Sequence, residues 1–155
     1  TILREVEAAA EILERDYQVA ADVWSLTSVN ELQREGKAVV RWNMLHPEEE
    51  PRVPWVTQQL QGESGPFVAA TDYMKSYTDQ LREFVPGHFT VLGTDGYGRS
   101  DTRGKLRKFF EVSREYVVIA ALKALADSGD VEPAVVSGAM RSLGVSADKV
   151  NPLSV

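Results

Sequence analysis

The side chains best placed to do chemistry stand together from Leu92 to Asp101, Leu-Gly-Thr-Asp-Gly-Tyr-Gly-Arg-Ser-Asp, where an apolar run gives way to glycines and charge. Arg99, Ser100 and Asp101 offer a cation, a hydroxyl and a carboxylate in succession, and Gly93, Gly96 and Gly98 let the backbone approach a ligand closely. Phe89, Val91 and Leu92 read as a buried strand, and in an open α/β sheet ligands and partners meet the chain outside strand ends. Asp95, Gly96, Tyr97, Gly98, Arg99, Ser100 and Asp101 are therefore candidate contact residues. Their glycine order is not the G-x-G-x-x-G run that a dinucleotide site needs between a strand and its helix, so no nucleotide site is expected. Asp95 with Asp101 is the one candidate carboxylate pair, and a turn explains both as well. In that plainer reading Arg99 pairs with Asp95 or Asp101.

A second cluster, Arg41-Trp42-Asn43-Met44-Leu45-His46-Pro47, sets a cation, an aromatic ring and a histidine at a helix end, which makes Trp42 and His46 further candidate contacts. A catalytic histidine needs an orienting carboxylate and a nucleophile or substrate beside it, and no such partner is visible. The alternative is that Trp42 and Met44 pack while His46 caps the last turn. Only His46 and His88 are present and there is no cysteine, which argues against a histidine-rich metal site and excludes a thiol nucleophile. Glu48-Glu49-Glu50 reads as a solvated run. These residues taken alone support no catalytic, cofactor-binding or metal-binding assignment.

Helices and strands must position both clusters. The apolar spacing predicts a first helix over about Ile2 to Asp16, capped by Thr1, with Ile2, Val6, Ala9, Ile12 and Leu13 on its inner face and Glu5 on the outside. A strand over Val19 to Thr27 with Trp24 packed follows, then a helix over Val29 to Leu45 capped from Ser25 to Ser28 and ended by Pro47. A short helix over Val53 to Gln61 and a buried strand over Pro66 to Ala70 come next. A helix capped by Asp72, striped by Met74, Tyr77, Leu81 and Phe84, runs to Pro86-Gly87. After the strand His88 to Leu92 come helices at Lys105 to Phe110, Tyr116 to Ala126 and Pro133 to Leu143, and an irregular tail from Asp148.

Strands alternating with helices imply a mostly parallel sheet covered on both faces, within one domain spanning residues 1–155. Three strands are few for so many helices. With the helical period running from the first residues, this reads as a piece of a longer polypeptide that lacks a preceding strand. Net charge of −6 argues against a nucleic-acid surface, and no apolar run approaches the roughly 20 residues that span a bilayer. No signal peptide is recognisable, and the cytoplasm is the expected compartment.

The runs Asp22 to Ser28, Arg41 to Pro47, Thr71-Asp72-Tyr73-Met74-Lys75 and Leu92 to Asp101, with the closing Asp148-Lys149-Val150-Asn151-Pro152, closely resemble one known family. The chain is similar from Thr1 to Pro152 to the C-terminal domain of the homodimeric bacterial pyruvate dehydrogenases. The resemblance implies a transketolase-like three-layer α/β/α domain around a mixed sheet with one antiparallel strand. It implies a parent enzyme that decarboxylates pyruvate on thiamine diphosphate with magnesium and reductively acetylates the lipoyl group of a dihydrolipoyl acetyltransferase core. Cofactor, metal and catalytic residues lie in the family's other domains, so none is carried onto this chain. The region Glu48 to Gly65 and the stretch Ser28 to Glu31 depart from the family's pattern at surfaces. What remains is support of the homodimer and of contacts between domains, with the loop at Asp95 to Asp101 and the Trp42–His46 end of the second helix as candidates. Docking of the acetyltransferase and a regulatory anion site at Arg99, Ser100, Thr102 and Arg103 are the competing readings.

Overall fold

A computed structural model describes residues 1–155. Seven helices and two strands follow in the order α1 (Leu3–Tyr17), α2 (Val29–Leu45), α3 (Trp55–Leu60), β1 (Phe67–Ala70), α4 (Lys75–Asp79), β2 (Phe89–Leu92), α5 (Arg103–Phe109), α6 (Arg114–Ser128) and α7 (Pro133–Ser142). Single 3-10 turns at Arg82–Phe84 and Pro152–Ser154 complete the order.

β1 and β2 pair in parallel, Phe67 opposite Phe89 and Ala70 opposite Leu92. Successive side chains of a strand point to opposite faces, and here each face has its own helices. Phe67, Ala69, Phe89 and Val91 belong to an apolar cluster with Val29, Val56, Leu60, Leu81, Phe84 and Val85, contributed by α2, α3 and the segment after α4. Val68, Ala70 and Leu92 pack on Ala9, Leu13, Val117, Val118, Leu122, Val136 and Ala139 from α1, α6 and α7. The result is helix, sheet, helix, the expected α/β arrangement of three layers. Leu81, Leu122, Val112 and Val118 are the largest fully buried side chains, each worth about 1.5–3 kcal/mol of burial.

Local chemistry accounts for the boundaries. The Ser28 hydroxyl accepts from the Glu31 N–H at 3.3 Å and opens α2, as its position implies. Pro133 in the first turn opens α7. Gly36, inside α2, is buried because the Phe84 ring lies against it, and a Cβ there would stand 2.7 Å from the ring.

Several expectations are corrected. Val19 to Thr27 is not a strand: residues 20–27 are exposed, no neighbouring strand pairs with them, and Trp24 is 49% exposed rather than packed. The sheet therefore has two strands where three are expected. Thr1 does not cap α1; Ile2 holds that position in helical conformation and makes no side-chain cap. Glu5 lies on the inner face of α1 with Ala9 and Leu13, one turn apart each, because arginines meet it there. Asp72 does not cap α4, and the long helix expected through Phe84 is a five-residue helix followed by a 3-10 turn. β1 is half-buried along its length.

Candidate functional site

The loop after β2 is fastened from two sides. Thr94 donates its N–H to the Tyr73 carbonyl at 2.9 Å and its hydroxyl to the Asp72 carbonyl at 3.3 Å. Asp95 Oδ1 accepts the Lys75 N–H at 2.9 Å, so a carboxylate from twenty residues downstream serves the first turn of α4 in place of Asp72. Gly96 stands at φ +108°, and a Cβ there would lie 2.6 Å from the Pro152 carbonyl oxygen. The segment after β1, the loop after β2 and the C-terminal turn thus form one ridge outside the carboxyl ends of the strands.

That ridge carries bare apolar groups. Tyr97 is 79% exposed, and Tyr73, Met74, Val150 and Leu153 are also open to solvent. Tyr73 meets Tyr77 edge to face at 5.4 Å between ring centroids.

Arg99 pairs with neither Asp95 nor Asp101; its guanidinium lies over the Phe109 ring, 4.2 Å from the centroid. Asp101 accepts the Thr102 N–H at 2.7 Å and faces Lys105 Nζ at 3.6 Å. A hollow of about 300 Å³ opens between this loop and α5, lined by Arg99, Ser100, Asp101, Lys105, Leu106 and Phe109. A larger one of about 560 Å³ adjoins it, bounded by Asp72, Thr94, Gly96, Arg103 and Arg107 among others.

At the end of α2 the Trp42 and His46 rings stack 4.2 Å apart and nearly parallel, and His46 Nδ1 bonds the Trp42 carbonyl at 2.8 Å. Arg52 lies 3.7 Å from the Trp42 ring centroid, and Asn43 clasps the Arg52 backbone through both its amide atoms. His46 is the C-cap of the helix, as its position implies, whereas Met44 is 69% exposed and does not pack. No hydrogen bond, ion pair or ring contact joins this cluster to the loop at Asp95 to Asp101. The two sets of candidate residues are separate features.

Beneath the loop lies a network that reading the sequence missed. Glu5 accepts the N–H and the Nε–H of Arg114, each at 3.0 Å, together with donors from Arg114 Nη2 at 3.1 Å and Arg107 Nη1 at 3.3 Å. Arg107 reaches Asp72 with its other terminal nitrogen at 3.3 Å, tying α1, α5 and the end of β1 together. The Arg114 hydrogen bonds hold the Glu5 carboxyl below the usual carboxylate range against the opposing effect of burial, and Glu5 raises Arg114 in return. Glu5, Ala9 and Leu13 recur every four residues, the one signal in the sequence that sets Glu5 on the same face as the buried Ala9 and Leu13, against its expected place on the outside.

The family model for the transketolase-like TK C-terminal domain matches residues 1–113. The chain is 56% identical to the pyruvate dehydrogenase E1 component of Pseudomonas aeruginosa over 154 residues, which is 99% of this chain and 18% of that protein. It is 52% identical to the pyruvate dehydrogenase E1 component of Escherichia coli K12, covering 98% of this chain and 17% of the relative. Identity to the protein of the same name from Cupriavidus necator is 50%, over 100% of this chain and 17% of the relative. The chain thus spans less than a fifth of the length of the relatives it matches.

Proposed function

Because this chain belongs to the transketolase-like TK C-terminal domain family, we propose that it is the C-terminal, non-catalytic module of a pyruvate dehydrogenase E1 component. The whole enzyme decarboxylates pyruvate on thiamine diphosphate with magnesium and reductively acetylates the lipoyl group of a dihydrolipoyl acetyltransferase core. It works as a cytoplasmic homodimer. Identity of 50 to 56% along nearly all of the chain is the observation that carries this reading.

The residues present do not fit the metal that accompanies the thiamine cofactor. Nowhere do three or more His, Asp or Glu side chains converge as metal ligands. The chain's part is to hold surfaces. Asp95 to Asp101 form one contact with the remaining domains or with the second subunit, and Trp42 with His46 forms another. The solvent-open Tyr73, Met74, Tyr97 and Leu153 support the first of these, since a bare apolar ridge beside a rigid turn is what an interface requires. The stacked Trp42–His46–Arg52 group supports the second by presenting aromatic and guanidinium faces together.

The test uses the full-length protein that carries this sequence. Wild-type protein is assayed for pyruvate decarboxylation and lipoyl acetylation, and wild type and Tyr97→Arg are compared by sedimentation. Turnover by the wild type, with a weakened dimer or looser domain packing in the variant, is expected. Absence of pyruvate turnover, or a Tyr97→Arg protein identical in assembly and protease resistance, would overturn the reading.

A further inference from the structure

Five of the chain's 17 cationic side chains fall between Arg99 and Lys108, against one carboxylate, Asp101, although the whole chain carries a charge of −6. Two of those cations are engaged: Arg107 by Glu5 and Asp72, and Lys108 by Glu115 at 3.6 Å. Lys105 meets Asp101 only loosely, at 3.6 Å, and Asp101 is already bonded to the Thr102 N–H. Arg99 and Arg103 have no carboxylate partner.

Arg99 is the preorganised member of this group. Its guanidinium carbon lies 4.2 Å from the Phe109 ring centroid, which holds the head group beside the hollow while leaving its five N–H donors without a partner in the chain, a fork that matches an oxyanion. The Ser100 hydroxyl is equally unpartnered. Both line the hollow of about 300 Å³, with Lys105 as a second charge and Leu106 and Phe109 as an apolar floor. That volume stands at the lower end of ligand sites, which run from ~300 to 1,000 Å³. Asp101 is the one group in the hollow that opposes an anion, and its neighbours Thr102 and Lys105 offset it.

We propose that this hollow binds an oxyanion of phosphate type, either free or as the end group of a small molecule. Arg99 supplies a bidentate contact, Lys105 a point charge and Ser100 a hydroxyl donor, while Arg103, which lines the adjoining hollow, raises the local potential. The hollow shares Arg99, Ser100 and Asp101 with the loop contact proposed above, and the anion enters from its α5 side, at Lys105, Leu106 and Phe109.

Inorganic phosphate and phenyl phosphate are titrated calorimetrically, at constant ionic strength, into the full-length protein carrying this sequence. Saturable binding of one phosphate per chain is expected, weakened about tenfold or more in Arg99→Gln and Lys105→Gln. Arg99→Lys, which keeps charge and loses the fork, falls between Arg99→Gln and wild type. Phenyl phosphate binding more tightly than inorganic phosphate identifies the small-molecule source, and equal binding identifies free phosphate. Lys37→Gln, on the exposed side of α2, leaves binding unchanged. Absence of saturable heat, or an equal loss in Arg99→Gln and Lys37→Gln, overturns the proposal.

Discussion

Glu5 Oε2 accepts both the backbone N–H and the Nε–H of Arg114 at 3.0 Å, so one carboxylate fixes the start of α6 and the side chain that leaves it. With Arg107 on its other oxygen, the same carboxylate joins α1 to α5. Removing a buried carboxylate strands the cations around it.

Glu5→Ala is therefore expected to cost about 2–3 kcal/mol, less than a fully buried pair because Arg114 is half open to water. Urea unfolding of wild type and variant measures it. A loss within the scatter of surface substitutions would show that the network adds nothing to stability.

The same group predicts an acid dependence. Its folded-state pKa is depressed, so the unfolded chain binds the proton more readily and stability rises with pH across the window between the two values. The Glu5 contribution is complete above the ordinary glutamate value of about 4.3 and is lost as pH falls through the folded value. Urea midpoints taken from pH 6 downward should converge for wild type and Glu5→Gln as the medium acidifies. Parallel curves would assign the acid sensitivity to other carboxylates.

Gly36→Ala tests packing against propensity. Alanine favours a helix interior over glycine by up to about 1 kcal/mol, yet its Cβ would sit 2.7 Å from Phe84, where overpacking costs about 1–3 kcal/mol. Net destabilisation is expected, and Phe84→Leu in the same protein should recover part of it. A stabilised Gly36→Ala protein, or additive losses in the double variant, would contradict the contact.

The loop makes its own prediction. Gly96→Ala must adopt a left-handed backbone and clash with the Pro152 carbonyl, for a cost of about 1–3 kcal/mol concentrated at the ridge. Hydrogen exchange should quicken at Leu153 and at Thr94, with α6 unaffected. Asp95→Asn, which keeps an acceptor for the Lys75 N–H, should exchange more slowly at Lys75 than Asp95→Ala.

Much of this architecture is legible in the residues. Ser28 ahead of an apolar run announces α2, Pro133 opens α7, and the run from Val117 to Leu125 marks the most buried helix. The two strands are visible as short apolar runs. What misleads is context that periodicity does not carry: Val19 to Thr27 has the composition of a strand but no neighbour to pair with, and Asp72 has the place of a cap but is drawn to Arg107. Glu5 is hidden because a charged residue on an inner face is read as an outward one until its arginines, over a hundred positions away, are brought to it. The candidate loop is legible as a loop, and its fastening to Tyr73, Lys75 and Pro152 is not, since each tie crosses a turn of the fold.

The four-residue strand β1 deals its side chains alternately to two different helix layers, Phe67 and Ala69 to one, Val68 and Ala70 to the other. Identity of residue therefore matters less here than parity of position. A single residue inserted between Gly65 and Phe67 without slack in the turn would exchange the two sets, forcing an aromatic ring against Ala9 and Leu122 and leaving a void beside Phe84. The segment can drift in composition over generations while its length stays frozen, and gaps between kindred chains should fall in the turn at Gly62 to Gly65 instead.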